Sequence, residues 1–490
     1  MILHADAIDF GAVRAEFGLP ETYPADAVRD AESATDDHAA ERVDLTGVAF
    51  VTIDPPGARD LDQAVHIEPA GDGHRVRYAI ADVGAVVEPG SALEAESLRR
   101  GQTVYLPDGS VPLHPPVLSE GSASLLPDQV RPAVVWTVEV DAEGETVAVA
   151  VERAVVRSTA RLDYAGVQAD ADAGRLHPSI AALPLLGGRL RLRGSRAGAI
   201  TLRLPAQEVV RSDWGWNLEI EPRLAADEWN AQISLLVGRA AARIMVDGGI
   251  GLVRTLPDAP AEVVDELRRT ATALGLAWSA AEGLGELLDR VDPNTPAGMA
   301  MMREATKALR GAAYTVVTPG SDGAQLGHAG IGGAYAHVTA PLRRVVDRYA
   351  AEVCLALHAG RPVPDWAADR LGELAAAMTE SDRLANRVDR ACVDLAEALV
   401  LEGLLGAERP VVVLRAPTGD RPGEAWCAEP PVFGDCSGAA GAGTRVVATV
   451  AEADVAGRRV RFAVADPGGD PRRAGRFGGE RSVEDSGGPW

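Results

Sequence analysis

The sequence of 490 residues is poor in lysine and in aromatic residues. Lys307 is the single lysine, so 47 of the 48 basic residues are arginines, and aromatic residues make up 4% of the chain. No apolar run reaches the roughly 18 residues that a helix needs to cross a bilayer, which excludes a membrane-spanning protein. The N-terminal sequence MILHADAIDF contains two aspartates and no basic cluster, so it does not resemble a secretory signal. We therefore expect a cytoplasmic protein without a membrane partner.

Cysteine is also scarce, and its spacing excludes the usual zinc motifs. The four cysteines contain no CxxC pair. We expect reduced, buried thiols, as is usual for cytoplasmic proteins. The cysteines are Cys354, Cys392, Cys427 and Cys436.

The charge balance is strongly acidic. Asp and Glu number 71 against 48 basic residues, for a net charge of −23. This excludes binding to nucleic acid through bulk charge, although it leaves room for a locally basic groove. The hydrophobic content of 47% and charged content of 24% are those of a globular protein, and the length suggests about two to four domains.

The pattern along the chain predicts an α+β protein in four parts. Residues 1–45 form a short helical extension, residues 46–405 a domain of mixed strands and helices, and residues 406–467 a small β domain that fits a five-stranded OB-like barrel. Residues 468–490 are rich in glycine, proline and charge, and predict a disordered tail.

Two helical segments of the large domain bear on function. From Trp229 to Ile244, apolar residues recur at spacings of three and four, which predicts one buried helical face. A second helix is predicted to begin at Pro341, with Thr339 helping to cap it. The segment DWAADRLGELAAAMTESDRLANRVDRACVDLAEALVLEGLLG predicts another long helix.

The segment VTIDPPGARDLDQAV contains the densest group of candidate metal ligands. Asp54 ends a predicted strand, and Asp60 and Asp62 are two residues apart, so in an extended chain they point to the same side. A turn at Pro-Pro-Gly can bring Asp54 beside them. Close carboxylates repel unless a cation neutralises them, and a set of oxygen ligands suits Mg²⁺ or Mn²⁺. The competing interpretation is a solvated acidic loop.

The segment YAHVTAPLRRVVD adds basic candidates. Arg343 and Arg344 are placed in the first turn of the predicted helix, where a cation opposes the helix dipole. A phosphate bound at that terminus explains them, and so do ion pairs with surface carboxylates. His337 is a candidate substrate contact. Tyr105 lies beside a loop, where it can stack on a base or simply pack in the core.

In several motifs, in one order, the chain resembles the RNB-domain exoribonucleases, the ribonuclease II and ribonuclease R family. The motifs are TIDPPGARDLDQAV, IADVG, TVYLPDGSVP with LSEGSASLLPDQVRP, and AYAHVTAPLRRVVDRY, and the resemblance covers about residues 46–405. It implies an RNB catalytic domain of mixed sheets with surrounding helices. It also implies a Mg²⁺-dependent hydrolase that shortens single-stranded RNA from the 3′ end and releases nucleoside 5′-monophosphates. We expect the protein to be a monomer.

The resemblance also implies roles for particular residues. Asp54, Asp60 and Asp62 match the first three aspartates of the family's metal site, and Asp62 matches the one on which cleavage most depends. Tyr105 matches the tyrosine that stacks against the 3′-terminal nucleotide, and Arg343 the arginine near the scissile phosphate. Arg344 and His337 lie in the same motif as Arg343, and are expected to contact RNA. Asp389 falls where the family often has a glutamate near the nucleic acid.

The sequence departs from the family pattern in three places. Gln63 stands where a fourth aspartate is usual, which removes one anionic ligand, although a carboxamide oxygen can still coordinate. The first 45 residues leave no room for the two cold-shock-type domains that usually precede the catalytic part, so we expect a shortened form. The C-terminal β domain lacks the family's usual basic tail.

Three hypotheses follow from these observations. The first is an active 3′→5′ exoribonuclease. The second, motivated by Gln63 and the missing N-terminal domains, is a non-catalytic RNA-binding relative. The third is an OB-containing scaffold with no RNA role, which rests only on the acidic composition.

Overall fold

The computed structural model describes residues 5–465 apart from residues 6, 222 and 420, so the predicted tail at 468–490 lies outside the described residues. The helices are α1 (Phe10–Glu16), α2 (Ala25–Ser33), α3 (Ala92–Arg100), α4 (Tyr164–Asp172), α5 (Leu183–Arg196), α6 (Ala225–Gly248), α7 (Ala261–Ala273), α8 (Leu284–Arg290), α9 (Pro296–Ala305), α10 (Val345–His358), α11 (Asp365–Ala368) and α12 (Leu371–Glu402).

The strands alternate with these helices along the chain. They are β1 (Val43–Asp44), β2 (Phe50–Ile53), β3 (Gln63–Ala70), β4 (Gly73–Ala81), β5 (Val104–Leu106), β6 (Gly109–Val111), β7 (Val130–Val140), β8 (Thr146–Leu162), β9 (Gln207–Ser212), β10 (Gly215–Ile220), β11 (Gly251–Thr255), β12 (Ala313–Val317), β13 (Gly327–His328), β14 (Gly333–Ala334), β15 (Glu408–Arg415), β16 (Gly423–Ala428), β17 (Pro431–Ser437), β18 (Thr444–Asp454) and β19 (Arg459–Val464).

A six-stranded sheet in the order β1-β8-β2-β3-β4-β7 forms the centre of the large domain. The long strand β8 also pairs antiparallel with β7 along its first part, then parallel with β2 at its end, where Ile53 lies opposite Leu162. β3 pairs antiparallel with β2 on one side and with β4 on the other. The ends of β2 and β8 are therefore held beside the start of β3.

Both faces of this sheet are buried, because side chains alternate along each strand. On β4, Val76, Tyr78 and Ile80 pack with α5, α6 and α10 on one face, whereas Ala79 and Ala81 pack with α2 and α3 on the other. The large side chains of β4 therefore face the layer of α5, α6 and α10, and the small ones face the layer of α2 and α3. The mixed sheet with surrounding helices confirms the predicted fold class.

The predicted helical face of α6 is confirmed, since Ile233, Leu236 and Val237 are buried against the sheet. The predicted long helix after residue 365 divides into α11 and α12. Trp366 on α11 stacks edge-on against Tyr349 of α10, with ring centroids 5.3 Å apart. This contact holds α11 on α10, and α12 continues separately to Glu402. None of the described helices is long and apolar enough to cross a membrane.

Residues 408–464 form a closed barrel of five strands in the order β15-β16-β17-β19-β18. Alternate residues such as Val411, Val413 and Phe462 fill its interior. The OB-like barrel predicted from the sequence is confirmed. The four cysteines are free and buried, as expected.

Glu397 on α12 links three elements of the fold. Its carboxylate Oε1 accepts hydrogen bonds from Gln207 Nε2 on β9 (2.6 Å) and from the backbone N–H of Phe433 on β17 (2.8 Å). The side chain is 5% exposed, and burial raises its pKa to about 8. The two donors lower the pKa, but they do not overcome the cost of burying the charge.

This burial predicts a pH-dependent stability. Because the folded pKa lies above the unfolded value of about 4.3, the native state holds a proton that the unfolded state has lost. The stabilisation is complete below pH 4 and is lost as the pH rises through about 8. Between pH 5 and pH 8.5, the free energy of unfolding should therefore fall by at least about 1 kcal/mol more in the wild type than in Glu397→Gln.

Urea denaturation at the two pH values measures this difference. Glu402→Gln, an exposed change on the same helix, is the control and should follow the wild type. Parallel pH profiles for wild type and Glu397→Gln would contradict the assignment.

Candidate active site

The acid loop, residues 54–62, connects β2 to β3 and is held at both ends. The backbone N–H of Asp54 donates to the carbonyl of Leu162 at 3.0 Å, which continues the pairing of β2 with β8. Near the other end, the N–H of the fully buried Leu61 donates to Ser124 Oγ at 3.0 Å, and that hydroxyl donates to the carbonyl of Arg59 at 2.6 Å. The turn predicted around Pro-Pro-Gly thus has a fixed path.

Asp62 is the most deeply buried carboxylate of the loop, with 5% of its surface exposed. Its Oδ1 accepts a hydrogen bond from the backbone N–H of Leu342 at 2.7 Å. Its Oδ2 lies 3.7 Å from Nε of Arg343. Burial raises the pKa of Asp62 to about 8, against the opposing influence of Arg343 and of the Leu342 N–H. A buried carboxylate with a shifted pKa beside one specific cation is typical of a functional site.

Asp54, at the start of the acid loop, has a carboxylate oxygen without a hydrogen-bond partner. Its Oδ2 is buried without a hydrogen bond, and burial raises the pKa of the carboxyl to about 6, with Asp60 raising it further. One buried acid, a half-buried acid with one buried oxygen and a third acid within electrostatic reach suit a bound cation. Among the described residues, however, no three or more His, Cys, Asp or Glu side chains are already gathered in an arrangement that could hold a metal.

Gln63 begins β3 directly after Asp62. Its carboxamide Oε1 accepts a hydrogen bond from the hydroxyl of Tyr78 on β4, and Ser234 Oγ on α6 lies 3.4 Å from the same oxygen. The structure thus places Gln63 beside the acid loop but directs its oxygen to two hydroxyl groups.

The predicted start of the helix at Pro341 is wrong, because α10 begins at Val345 and Thr339 does not cap it. The N–H of Thr103 donates to the carbonyl of Arg343 at 2.9 Å, and the N–H of Val345 to that of Gly101 at 2.9 Å. This pairing keeps Arg344 extended, just before α10. Arg343 lies in the preceding turn, where the N–H groups of Arg343 and Arg344 donate to the carbonyl of Ala340 at 3.2 Å and 2.9 Å. Neither arginine is therefore part of α10.

The two arginines have different surroundings. Arg343 has a side chain that is 43% exposed and faces Asp62. Arg344 makes a two-point ion pair with the fully buried Asp347, at 2.8 Å and 2.7 Å, and the burial of that pair is a feature the sequence did not indicate. Of the two explanations offered for these arginines, pairing with a carboxylate holds for Arg344.

Tyr105 lies on the two-stranded hairpin of β5 and β6, and is 53% exposed. The pairing of residues 101–103 with 343–345 brings this hairpin beside Arg343. At its turn, Asp108 accepts two hydrogen bonds from the guanidinium of Arg14 on α1, at 2.8 Å and 2.7 Å. The N-terminal helix thereby holds the hairpin that presents Tyr105.

His337 and Asp389 interact with residues outside the acid loop. The Nδ1 atom of His337 is 2.8 Å from the hydroxyl of Tyr314, and burial holds the pKa of the imidazole well below its usual value, so the ring is neutral at pH 7. Asp389 is exposed on α12, and its charge acts on Cys392 and Asp394 of the same helix.

Four polar residues that the sequence did not single out border the loop: Tyr78, Tyr164, Asn230 and Ser234. Asn230 Nδ2 donates to the hydroxyl of Tyr164 at 3.4 Å, and that hydroxyl lies within electrostatic reach of Asp54 and Arg343. A signal existed for two of them, since Asn230 and Ser234 are four residues apart and flank the apolar face of α6.

Two family models match the chain. One describes an RNB domain and covers residues 42–357, and the other describes an RNase II-type exonuclease C-terminal S1 domain and covers residues 408–465.

Curated relatives include the exosome complex exonuclease RRP44 homolog A of Arabidopsis thaliana, which is 30% identical over 72% of this chain and 40% of its own. Ribonuclease R of Thermotoga maritima is 26% identical over 70% of this chain and 50% of its own. The chain thus spans half or less of the length of these relatives.

Solved structures show the same fold. The apo form of Mycoplasma genitalium RNase R superposes with a TM-score of 0.83 at 20% identity, covering 93% of this chain and 78% of that chain. The structure of yeast Ssd1, described as a pseudonuclease, has a TM-score of 0.65 at 16% identity, covering 87% and 53%. With the RNB model matching more than half of its residues, the chain belongs to the RNB-domain family and carries that family's C-terminal S1 domain.

Proposed function

We propose that this protein is a hydrolytic 3′→5′ exoribonuclease that acts on single-stranded RNA and releases nucleoside 5′-monophosphates with Mg²⁺ or Mn²⁺. The observation that carries the proposal is Asp62, a buried carboxylate between the Leu342 N–H and the guanidinium of Arg343. Relatives named ribonuclease R support it, as does the similar structure of M. genitalium RNase R solved in complex with ribose-methylated single-stranded RNA.

Asp54, Asp60 and Asp62 are the residues that would hold the cation, and the orphaned Oδ2 of Asp54 fits this role. When bound, such a cation supplies an activated water and charge stabilisation at the phosphate. Hydrolysis joins the water oxygen to phosphorus and breaks the bond between phosphorus and the 3′ oxygen of the preceding nucleotide. The phosphate therefore stays on the 5′ side of the released nucleotide.

The other residues position the RNA. Arg343, exposed beside Asp62, offers donors to the non-bridging phosphate oxygens and offsets the charge that grows there in the transition state. Tyr105 presents an exposed ring on which the last base can stack, which converts a diffusing end into a positioned one. Because the net charge is −23, we infer that RNA is bound in a local channel with little sequence preference. We place this activity in the cytoplasm, in a monomer.

One observation favours the second candidate, a non-catalytic RNA-binding protein. Gln63 replaces a carboxylate and its oxygen is already bound to Tyr78. The two functions differ in one measurement, since the second predicts RNA binding without nucleotide release.

The first prediction concerns Asp62. Asp62→Asn keeps the shape and the hydrogen bond from Leu342 but removes the ionisable carboxyl that would bind the cation, so we expect nucleotide release to fall by at least about two orders of magnitude. The assay follows a 5′-labelled single-stranded RNA with Mg²⁺ or with EDTA, and reads product lengths over time. Asp72→Asn, in the exposed turn between β3 and β4, is the matched control. A Mg²⁺-dependent ladder that persists in Asp62→Asn would contradict the proposal, and intact RNA with a retained gel shift in wild type would favour the binding protein.

A second prediction separates the neighbouring arginines. Arg343→Ala should reduce turnover with little change in melting temperature, because its side chain is largely exposed. Arg344→Ala leaves the buried Asp347 without its partner and should destabilise the fold by about 3 kcal/mol. Thermal denaturation and initial rates on the same preparations test both. Equal loss of stability in the two variants would show that Arg343 is structural, and unchanged RNA binding in Arg343→Ala would favour a scaffold without an RNA role.

A third prediction concerns Tyr105. Tyr105→Ala removes the stacking surface and should raise KM about tenfold or more, since base stacking contributes about 1–3 kcal/mol. Tyr105→Phe keeps the ring and should keep KM near that of the wild type. If the phenylalanine variant is as impaired as the alanine variant, the hydroxyl and not the ring is what the reaction needs.

A further inference from the structure

The side chain of Gln63 is part of a closed group of three polar residues from three elements. The Tyr78 hydroxyl on β4 donates to Gln63 Oε1, and Ser234 Oγ on α6 lies 2.8 Å from the Tyr78 oxygen and 3.4 Å from Gln63 Oε1. The Tyr78 proton is used on Gln63, so Ser234 is the donor between the two hydroxyls. We call these three residues the amide lock.

The lock lies next to the acid loop. Tyr78 is 1% exposed, and Asp54 and Asp62 both act on its hydroxyl electrostatically. Burial raises the pKa of Tyr78, so the phenol remains protonated and needs an acceptor. Within this region, the oxygen of Gln63 is that acceptor.

Coordination of a cation by Gln63 would compete with the lock. The carboxamide oxygen has two lone pairs and Tyr78 uses one of them, but the hydroxyl oxygens of Tyr78 and Ser234 both lie against Oε1, the second at 3.4 Å. A cation would have to displace these hydroxyls, or Oε1 would have to turn away from them. Either change would leave the buried phenol hydroxyl with a weaker acceptor or none, at a cost of about 1–3 kcal/mol. A neutral carboxamide also gains less from a divalent cation than a carboxylate does. We therefore expect the oxygen of Gln63 to remain hydrogen-bonded to Tyr78 when a cation is present.

We propose that Gln63 is a positioning residue and not a metal ligand, so that the divalent cation is held by Asp54, Asp60 and Asp62 alone. This inference rests on the cation site of the proposed function. It departs from the expectation that the carboxamide oxygen of Gln63 coordinates. In this arrangement, the neutral carboxamide of Gln63 lies beside the aspartates. Its hydrogen bond to Tyr78, together with Ser234, connects β3 and β4 to α6.

Binding of Mn²⁺ alone, measured by the loss of the free-ion signal in electron paramagnetic resonance, tests the proposal without any reaction. Gln63→Ala should bind Mn²⁺ within about twofold of the wild type, whereas Asp54→Asn should bind at least tenfold more weakly. Gln63→Asp places a carboxylate where the carboxamide was and should bind Mn²⁺ at least tenfold more tightly than the wild type. Glu143→Gln, in the exposed turn between β7 and β8, controls for a general change in charge.

Each result decides the matter. Weakening in Gln63→Ala comparable to that in Asp54→Asn would make Gln63 a ligand and overturn the proposal, as would wild-type protein that binds no Mn²⁺ or Gln63→Asp that binds no better. If Gln63→Ala fails to fold by circular dichroism, Gln63→Ala/Tyr78→Phe removes both partners of the bond and replaces it in the comparison.

The failure of this inference can be distinguished from the failure of the proposed function. RNA left intact by a protein that shows the expected Mn²⁺ pattern would defeat the exonuclease proposal while the three-aspartate site stands. RNA shortened by a protein in which Gln63→Ala loses Mn²⁺ would do the reverse.

Discussion

The hydrogen bond from the Leu342 N–H to Asp62 is the contact on which the candidate site depends. It joins residues 280 positions apart in the chain, and so brings the acid loop to the segment that precedes α10. Asp62 is buried, and the Leu342 N–H and the Arg343 guanidinium are the groups that favour its charged form against that burial. The same approach brings residues 343–345 onto residues 101–103, and with them the hairpin of Tyr105.

Buried ion pairs connect β8 to α10, the helix that begins beside the candidate site. Arg153 on β8 lies 3.1 Å from Asp82 and also bonds Glu352 of α10, while Arg42 lies 2.8 Å from Asp82. Arg344 and Asp347 form a further buried pair beside the site. A guanidinium offers its donors in a rigid planar fork, and Arg42 and Arg153 use it to bind two carboxylates each. Removing one member of such a pair leaves a buried charge, so these residues fix the geometry of α10.

The smaller units are fastened to the large domain through side chains as well as apolar contacts. Arg14 of α1 holds the turn of the Tyr105 hairpin through Asp108, and Glu397 of α12 reaches both β9 and the barrel strand β17. The apolar core of the barrel is continuous with residues of α12 and of the N-terminal helix, including Phe10 and Val13. The helix and barrel at the two ends of the described chain thus meet around α12.

The sequence by itself determined the element types, the barrel and the acid loop. Period-two and period-3.6 patterns report burial within one element, so the apolar face of α6 and the five barrel strands could be predicted. The motifs around Asp54, Asp62, Tyr105 and Arg343 carried the family resemblance, which the comparisons confirmed. The roles of these residues at the site remain proposals.

Only the tertiary structure decided how these residues face one another. The helix expected at Pro341 begins at Val345 because a distant strand segment pairs with residues 343–345, and the burial of Arg344 on Asp347 depends on that path. Likewise, the sequence predicts that Gln63 is a weakened ligand, but in the structure its oxygen accepts a hydrogen bond from Tyr78 and lies 3.4 Å from Ser234 Oγ. The physical reason is the same in each case. A local pattern reports which side of an element is buried, whereas the partner of a polar group is set by chain segments that meet only on folding.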